Sequence, residues 1–422
     1  MSGNPHLNGS DYLMLGFDHE LRQRGFAGNS CQVVLELAAA ISPGALRKRL
    51  AAVGERYRIL RARLGGLLRP QWKLPLHHAP ELRVRVHPEA PDLCQRLFNE
   101  PLDIDRGELV RFDLIERAGG RMNLTFTWAH ALMDAPGAEH FLAIVGREEL
   151  PWPAPPARPR RSELPLRERC KRAWQNLYQI DQFCEAAPRS LGTRQRDAPA
   201  RSHYRVEKFS AAETERVRAN SVRHCGALGS GQFHAAAALL ELHQLHQRLG
   251  RPSPSYVLPV PVGLRPKGTT EPLFRNQLTM LMTQFFPADL ICIASAAAAL
   301  KTQTVQALRR GMIESGCLLT DLFRFLPLPV YMAILKRGLR GEICSLFYGD
   351  TAAVNPLLTS FLGAPIDDFS HVAAVTPSPG LGVLFYFFRG ELRVTVLHLA
   401  TVLAEAEAAD FTARLRARLL SP

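Results

Sequence analysis

The chain has 422 residues, more than one ordinary hydrophobic core accommodates, so two domains are expected. Hydrophobic residues make up 46% and charged residues 22%, which excludes a disordered polymer, and apolar runs such as Leu290–Leu300 and Leu381–Phe388 are too short to span a bilayer. The formal charge of +13 suits nucleic acid, anionic lipid, phosphorylated cofactors or an acidic protein; no RNP-like, zinc-finger or helix-turn-helix signature supports nucleic acid as the partner.

The eight cysteines form no Cys-x-x-Cys pair, and none stands at metal-ligand spacing from a histidine. Scattered single cysteines suggest buried thiols in a reducing compartment. The N-terminus lacks the basic start and apolar stretch of a signal peptide, so a cytoplasmic location is expected. His77 and His78, like His243 and His246, have no acidic or cysteine partner at ligand spacing, and no metal site is expected.

In chain order, residues 32–38 are rich in Val and Leu and predict a strand. Ser42 and Pro43 then supply an N-cap and a first-turn proline for a helix whose apolar face is Leu46, Leu50 and Val53. Val110, Phe112 and Leu114 alternate with polar residues, Ala118-Gly119-Gly120 turns the chain, and Leu124, Phe126 and Trp128 alternate again. That pattern predicts a β-hairpin with His130 at the end of its second strand, followed by a helix over 138–145. Residues 151–161 carry five prolines and cannot continue a helix or a sheet interior, so they are the candidate interdomain linker.

The arginine-rich stretch 162–201 is expected to be partly helical. Ser210 and Glu213 form a capping box, and Phe233, Ala236, Ala237 and Leu240 mark the buried face of a further helix. Residues 256–262 predict a buried strand, and 381–388 with 391–398 a second hairpin turning at Arg389-Gly390. A closing helix carries Phe411, Leu415 and Leu419. Each half thus has a mixed α/β (α+β) plan, with boundaries expected at 1–150, 151–200 and 201–422.

One constellation carries chemistry. His130 is the histidine with an aspartate, Asp134, four positions on, and it sits where a strand gives way to a loop. A neutral imidazole there can take a proton from an alcohol or amine as that group attacks a carbonyl. Asp134 could orient the ring, or could turn away and pair with an arginine to fix the loop. The plain alternative is a structural histidine followed by a helix-capping aspartate.

The runs Phe98–Arg111 and Trp128-Ala129-His130-Ala131-Leu132-Met133-Asp134-Ala135-Pro136-Gly137 resemble the His-x-x-x-Asp acyltransferase superfamily. That group includes chloramphenicol acetyltransferase (CAT), nonribosomal-peptide condensation domains, the BAHD plant enzymes and wax ester synthase/alcohol acyltransferases. Residues 57–64, with Arg61, resemble the arginine-bearing segment of condensation domains. Pro259–Pro266, with Arg265, followed by Arg275-Asn276, resemble a motif pair of the second half. The sequence departs from the pattern in having Ala129 where many relatives have a first histidine and Ala135 where a glycine is usual; Gly137 could supply nearby flexibility. The BAHD Asp-Phe-Gly-Trp-Gly signature is absent.

The resemblance implies two CAT-like subdomains, residues 1–150 and 201–422, with a tunnel between them. It implies His130 as general base and direct acyl transfer from an acyl-CoA or acyl-phosphopantetheine thioester, with no covalent acyl-enzyme and no bound cofactor. Asp134 would be structural, paired with Arg61 or Arg265, while Asn276 and Ser345 are candidates for polar groups near the tunnel. The implied partners are acyl-CoA or an acidic acyl carrier protein and a small hydroxyl or amine acceptor. A membrane surface is an alternative partner and nucleic acid is not expected.

Arg158, Arg160 and Arg161, with the basic residues 167–172, are candidates for carrier or CoA docking, or form a solvated basic face. Residues 318–340 mix apolar and basic side chains. They would line a channel for a long acyl chain, rest on a membrane, or pack as a helix pair broken by Pro327 and Pro329. The functional expectation is ester formation; amide formation, or a catalytically idle carrier- or lipid-binding module, are the alternatives.

Overall fold

The computed structural model describes residues 6–66, 71–74, 82–147, 164–192, 195, 197–266 and 273–422. His77, His78, the 151–161 linker and Arg158, Arg160 and Arg161 lie outside the described residues. The chain opens with α1 (Gly9–Gln23), β1 (Ser30–Leu37) and α2 (Pro43–Arg56), then the short strands β2 (Arg63–Gly65), β3 (Gln71–Lys73) and β4 (Val84–His87). Next come α3 (Leu93–Phe98), the hairpin β5 (Val110–Arg117) and β6 (Arg121–Ala129), and α4 (Ala135–Gly146). After α5 (Leu166–Gln182) follow β7 (Ser202–Lys208), α6 (Ala211–Cys225), α7 (Ser230–Arg248) and the hairpin β8 (Tyr256–Gly263) and β9 (Leu278–Phe285). Helices α8 (Ile293–Arg309), α9 (Met312–Phe323) and α10 (Leu328–Arg337) precede β10 (Phe347–Ala353), β11 (Ser360–Phe361) and β12 (Ala364–Ala373). The last hairpin, β13 (Leu381–Phe388) and β14 (Glu391–Leu399), leads into α11 (Glu405–Leu420).

Local chemistry accounts for many of these boundaries. The Ser42 side chain accepts from the Ala45 amide with Pro43 in the first turn of α2, and Ser210 and Glu213 close a reciprocal capping box on α6. Two mixed sheets form the framework, one in the order β11-β12-β1-β6-β5-β4 and the other β10-β13-β14-β7. The first packs α1, α2 and α4 into one apolar core; the second packs α6, α7, α8 and α11 into another.

Sheet membership crosses the expected break at 151–200. β11 and β12 lie far along the second half, yet β12 pairs antiparallel with β1 from Cys31↔Ala373 to Leu37↔Ile366. The polar residues that alternate along β5 and β6 are buried as well, Thr125 and Thr127 among them. Arg111 and Asp113 are 1% and 0% exposed and bonded to each other, and Arg111 also donates to the Leu97 carbonyl of α3 at 2.6 Å. Charge pairing and the overlying helix satisfy groups that would otherwise need water.

Cys31 and Cys344 are buried as expected, whereas Cys170 and Cys292 are exposed; the described cysteines are free thiols. Residues 318–340 fall in α9 and α10, with Leu318, Leu319, Tyr331 and Met332 buried, so they pack as a helix pair and one side of it bounds a cavity. No helix among the described residues is long and apolar enough to cross a membrane.

Candidate active site

His130 stands immediately after β6, and its position is fixed from three directions. Its amide donates to the Asn29 carbonyl at 3.0 Å, tying the loop to the residue before β1. Its carbonyl accepts from the Asn276 side-chain amide at 2.8 Å. The Trp128 indole, buried in β6, donates to the Met133 carbonyl at 3.0 Å and closes the loop from below.

Asp134 does not orient the imidazole by contact. Its Oδ1 caps α4 through the Gly137 amide at 2.9 Å and accepts from Arg265 Nη2 at 2.9 Å, while its Oδ2 accepts from the Gln277 amide at 2.9 Å. Of the three readings left open for this aspartate, the structure shows two together: it caps a helix and it pairs with an arginine. Of the two candidate arginines it is Arg265, which follows β8 and so reaches across from the second half. Arg61 is buried at the end of the turn after α2, and its ion pair is with Glu55 at 3.5 Å. Gly137 serves space and not flexibility: a Cβ there would lie 2.5 Å from the Leu273 carbonyl oxygen.

Asn276 and Ser345 are framework residues, not polar groups on the cavity wall. Asn276, 1% exposed, donates from its backbone and side-chain amides to Asp11 Oδ1 at 2.7 and 3.0 Å, so it braces α1 against the His130 loop. Burial pushes the Asp11 carboxyl up to about 6, with the Asn276 and Asn8 amides opposing the shift. Ser345 is sealed against β8, exchanging hydrogen bonds with the Val257 backbone.

The His130 ring faces a cavity of about 360 Å³ between the two sheets, with Trp128 and His371 on one wall and Tyr348, Leu384 and Leu397 on the other. Burial holds the imidazole below its ordinary pKa of 6.5, and the charge of Asp134 and hydrogen-bonding groups of Asn276, Met133 and its own backbone only partly offset this. Nδ1 is buried and makes no hydrogen bond of normal geometry. At neutral pH the ring is therefore an uncharged imidazole on the wall of a mostly apolar cavity, a group with the chemistry to accept a proton.

A second histidine, unforeseen in the sequence, lines the same cavity. His371 on β12 bonds through Nε2 to Glu139 Oε1 at 2.8 Å, and Glu139 Oε2 accepts from the Asn355 amide at 2.7 Å. Both side chains are buried. The partners lie 232 positions apart, so no spacing rule could have joined them.

The paired sheets, the cavity between them and a strand-end histidine followed by a helix-capping aspartate define the chloramphenicol-acetyltransferase-like fold shared by condensation domains and acyltransferases. No family model and no curated protein matches the sequence. Among solved structures, the first condensation domain of the calcium-dependent antibiotic synthetase is similar over 100% of this chain and 97% of its own, at 16% identity and a TM-score of 0.71. The trichothecene 15-O-acetyltransferase from Fusarium sporotrichioides is similar over 98% and 95%, at 12% identity and a TM-score of 0.73. Polyketide synthase associated protein 5 from Mycobacterium tuberculosis is similar over 100% and 98%, at 17% identity and a TM-score of 0.64.

Proposed function

We propose that the protein is an acyltransferase that moves an acyl group from a thioester, carried by CoA or an acyl carrier protein, to a hydroxyl acceptor. The observation that carries the reading is His130: a neutral, partly buried imidazole, held by its own backbone at the edge of a cavity large enough for two reacting groups. In this reading the imidazole takes the hydroxyl proton as the oxygen attacks the thioester carbonyl. The tetrahedral intermediate then collapses with loss of the thiolate, which recovers the proton from the imidazolium. The products are an ester and a free thiol, and His130 ends neutral.

Direct transfer needs both substrates held together, so fixed geometry supplies much of the rate. Asp134 and Arg265 act as positioning residues, since neither needs to touch the reacting atoms for the loop to hold its shape. An amine acceptor would pass through the same steps to an amide, and the fold shared with condensation domains favours keeping it as the second reading.

Thiol release from a panel of acyl-CoA and acyl-carrier donors, with mixed alcohols and amines, tests the proposal. Turnover by the wild type that disappears in a folded His130→Ala variant supports it and names the acceptor class. Carrier or lipid binding with no turnover on any donor would replace it with a non-catalytic module.

A further inference from the structure

Beside the catalytic cavity lies a second, smaller chamber of about 90 Å³, several times the roughly 10–15 Å³ that admits one water. The two share Phe17, Leu278, Met280 and Phe347 in their walls, so they are neighbours across a flexible apolar partition. The far side of the chamber is built from α5, α9 and α10, through Leu177, Leu319 and Leu335.

Two of its polar residues, Ser10 and Thr320, spend their hydroxyl protons on backbone carbonyls. Ser10 Oγ donates to the Leu278 carbonyl at 2.6 Å, and Thr320 Oγ1 donates to the Cys317 carbonyl at 3.0 Å. Asn176 and Thr279 complete the polar part of the lining; the rest is hydrocarbon, and no charged side chain stands among the described lining residues to partner a charged group.

Resting on the acyl-transfer reading above, we infer that this chamber receives the alkyl tail of the acyl donor, making the substrate a fatty acyl thioester and not an acetyl one. The stereochemistry of the reaction points to the tail. A thioester carbonyl near His130 carries two substituents, and its thiol arm must lead out to solvent, as must the free end of a polar acceptor. The acyl tail alone needs an enclosed apolar place, and the chamber adjoins the cavity where the carbonyl reacts.

The test uses CoA thioesters from acetyl to palmitoyl with one alcohol in excess, then a series of alcohols with one donor. In the wild type, kcat/KM should rise about fourfold per methylene up to an optimum and then fall. Leu335→Phe, which fills the chamber far from His130, should move the optimum to shorter donors and lower kcat/KM for the longest at least tenfold. Leu319→Ala, which enlarges it, should move the optimum to longer donors. Acetyl transfer should stay within about twofold in both, and the alcohol profile should not move.

A flat wild-type profile, or a profile untouched by both variants while each retains a cooperative melt, overturns the inference. A shift in the alcohol series in place of the acyl series also overturns it, by giving the chamber to the acceptor. Calorimetric binding of CoA, acetyl-CoA and octanoyl-CoA separates this from the enzymatic reading. Absent turnover but chain-dependent binding that weakens in Leu335→Phe would sink acyl transfer and keep the chamber. Turnover with no dependence on chain length would do the reverse.

Discussion

Two regions of this protein are built on one plan and differ in what they carry. In the first half, β6 ends at Ala129, pairs with β1 at Ser30, and is followed by His130, a tight loop, Asp134 and α4. In the second half, β14 ends at Leu399, pairs with β7 at Ser202, and is followed by Ala400, a tight loop, Ala404 and α11. Even the backbone bonds correspond: the His130 amide donates to Asn29 and the Ala400 amide to Arg201, at 3.0 and 2.9 Å. The strand-end loop is therefore a scaffold that folds with or without reactive side chains. The N-cap of α11 is Ala404, which has no capping side chain, and the Glu407 carboxylate accepts from the Ala404 amide at 2.9 Å, so an aspartate is not required merely to begin a helix here. Asp134 is distinguished by its further bonds, to Arg265 and to the Gln277 amide.

Breaking the reactive copy should have the largest effect. Under the acyl-transfer reading, His130→Ala should lower kcat by about 10²–10⁴-fold in a thiol-release assay, with the melting temperature almost unchanged. The reciprocal Ala400→His should add no activity to that variant: the hollow of about 740 Å³ beside Ala400 is lined by Arg201, His203, Arg205 and Glu405 in place of the mostly apolar walls around His130, and Ala404 stands where the first half has Asp134. Next, Asp134→Ala leaves Arg265 mostly buried without its carboxylate, and chemical denaturation should show a loss of about 3–5 kcal/mol. Asn276→Ala removes the brace between Asp11 and the His130 carbonyl, for an expected loss of about 1–3 kcal/mol.

The pH profile sharpens the same contrast. His130 is held below its ordinary value, so it stays neutral as pH falls through 6.5 and the acid limb of kcat should lie below that point. The linked stability has the same sense. Below pH 6.5 the unfolded chain takes up the proton first, so stability is present above the ordinary histidine value and declines as pH falls toward the lowered one. His130→Ala should remove that part of the acid-side loss. The smallest effect comes from the silent copy: Ala404→Asp would supply α11 with a cap, and thermal melting should register about 0.5–2 kcal/mol of added stability.

The correspondence also explains what was legible in the sequence. Both hairpins, the capped helices at Ser42 and Ser210 and the place of His130 follow from alternation, caps and turn residues, all of them local signals. Choosing between Arg61 and Arg265 required knowing which segment passes beside α4, a long-range fact that side-chain chemistry does not encode. The same holds for the His371–Glu139 pair. Asn276 and Ser345 were candidates for polar groups near the tunnel that the resemblance implied; their amide and hydroxyl groups serve neighbouring backbone and the Asp11 carboxylate instead. Nothing in the alternation along β5 announces that α3 lies across its polar residues and buries Arg111.

The crossing of β12 into the first sheet bears on how the chain matures. β1 lies between β6 and β12, so one side of it can pair as soon as residue 129 has been made. The other side waits for residues 364–373. During synthesis the half that holds His130 would carry an open strand edge until most of the chain has emerged, a template for wrong pairing in the interval. Closure of that edge brings His371 to the cavity at the same moment, so the cavity beside His130 is completed only when both halves are present. A fragment ending near residue 150 would accordingly expose an unpaired β1 and aggregate, and adding the 360–375 segment in trans offers a means of rescuing it.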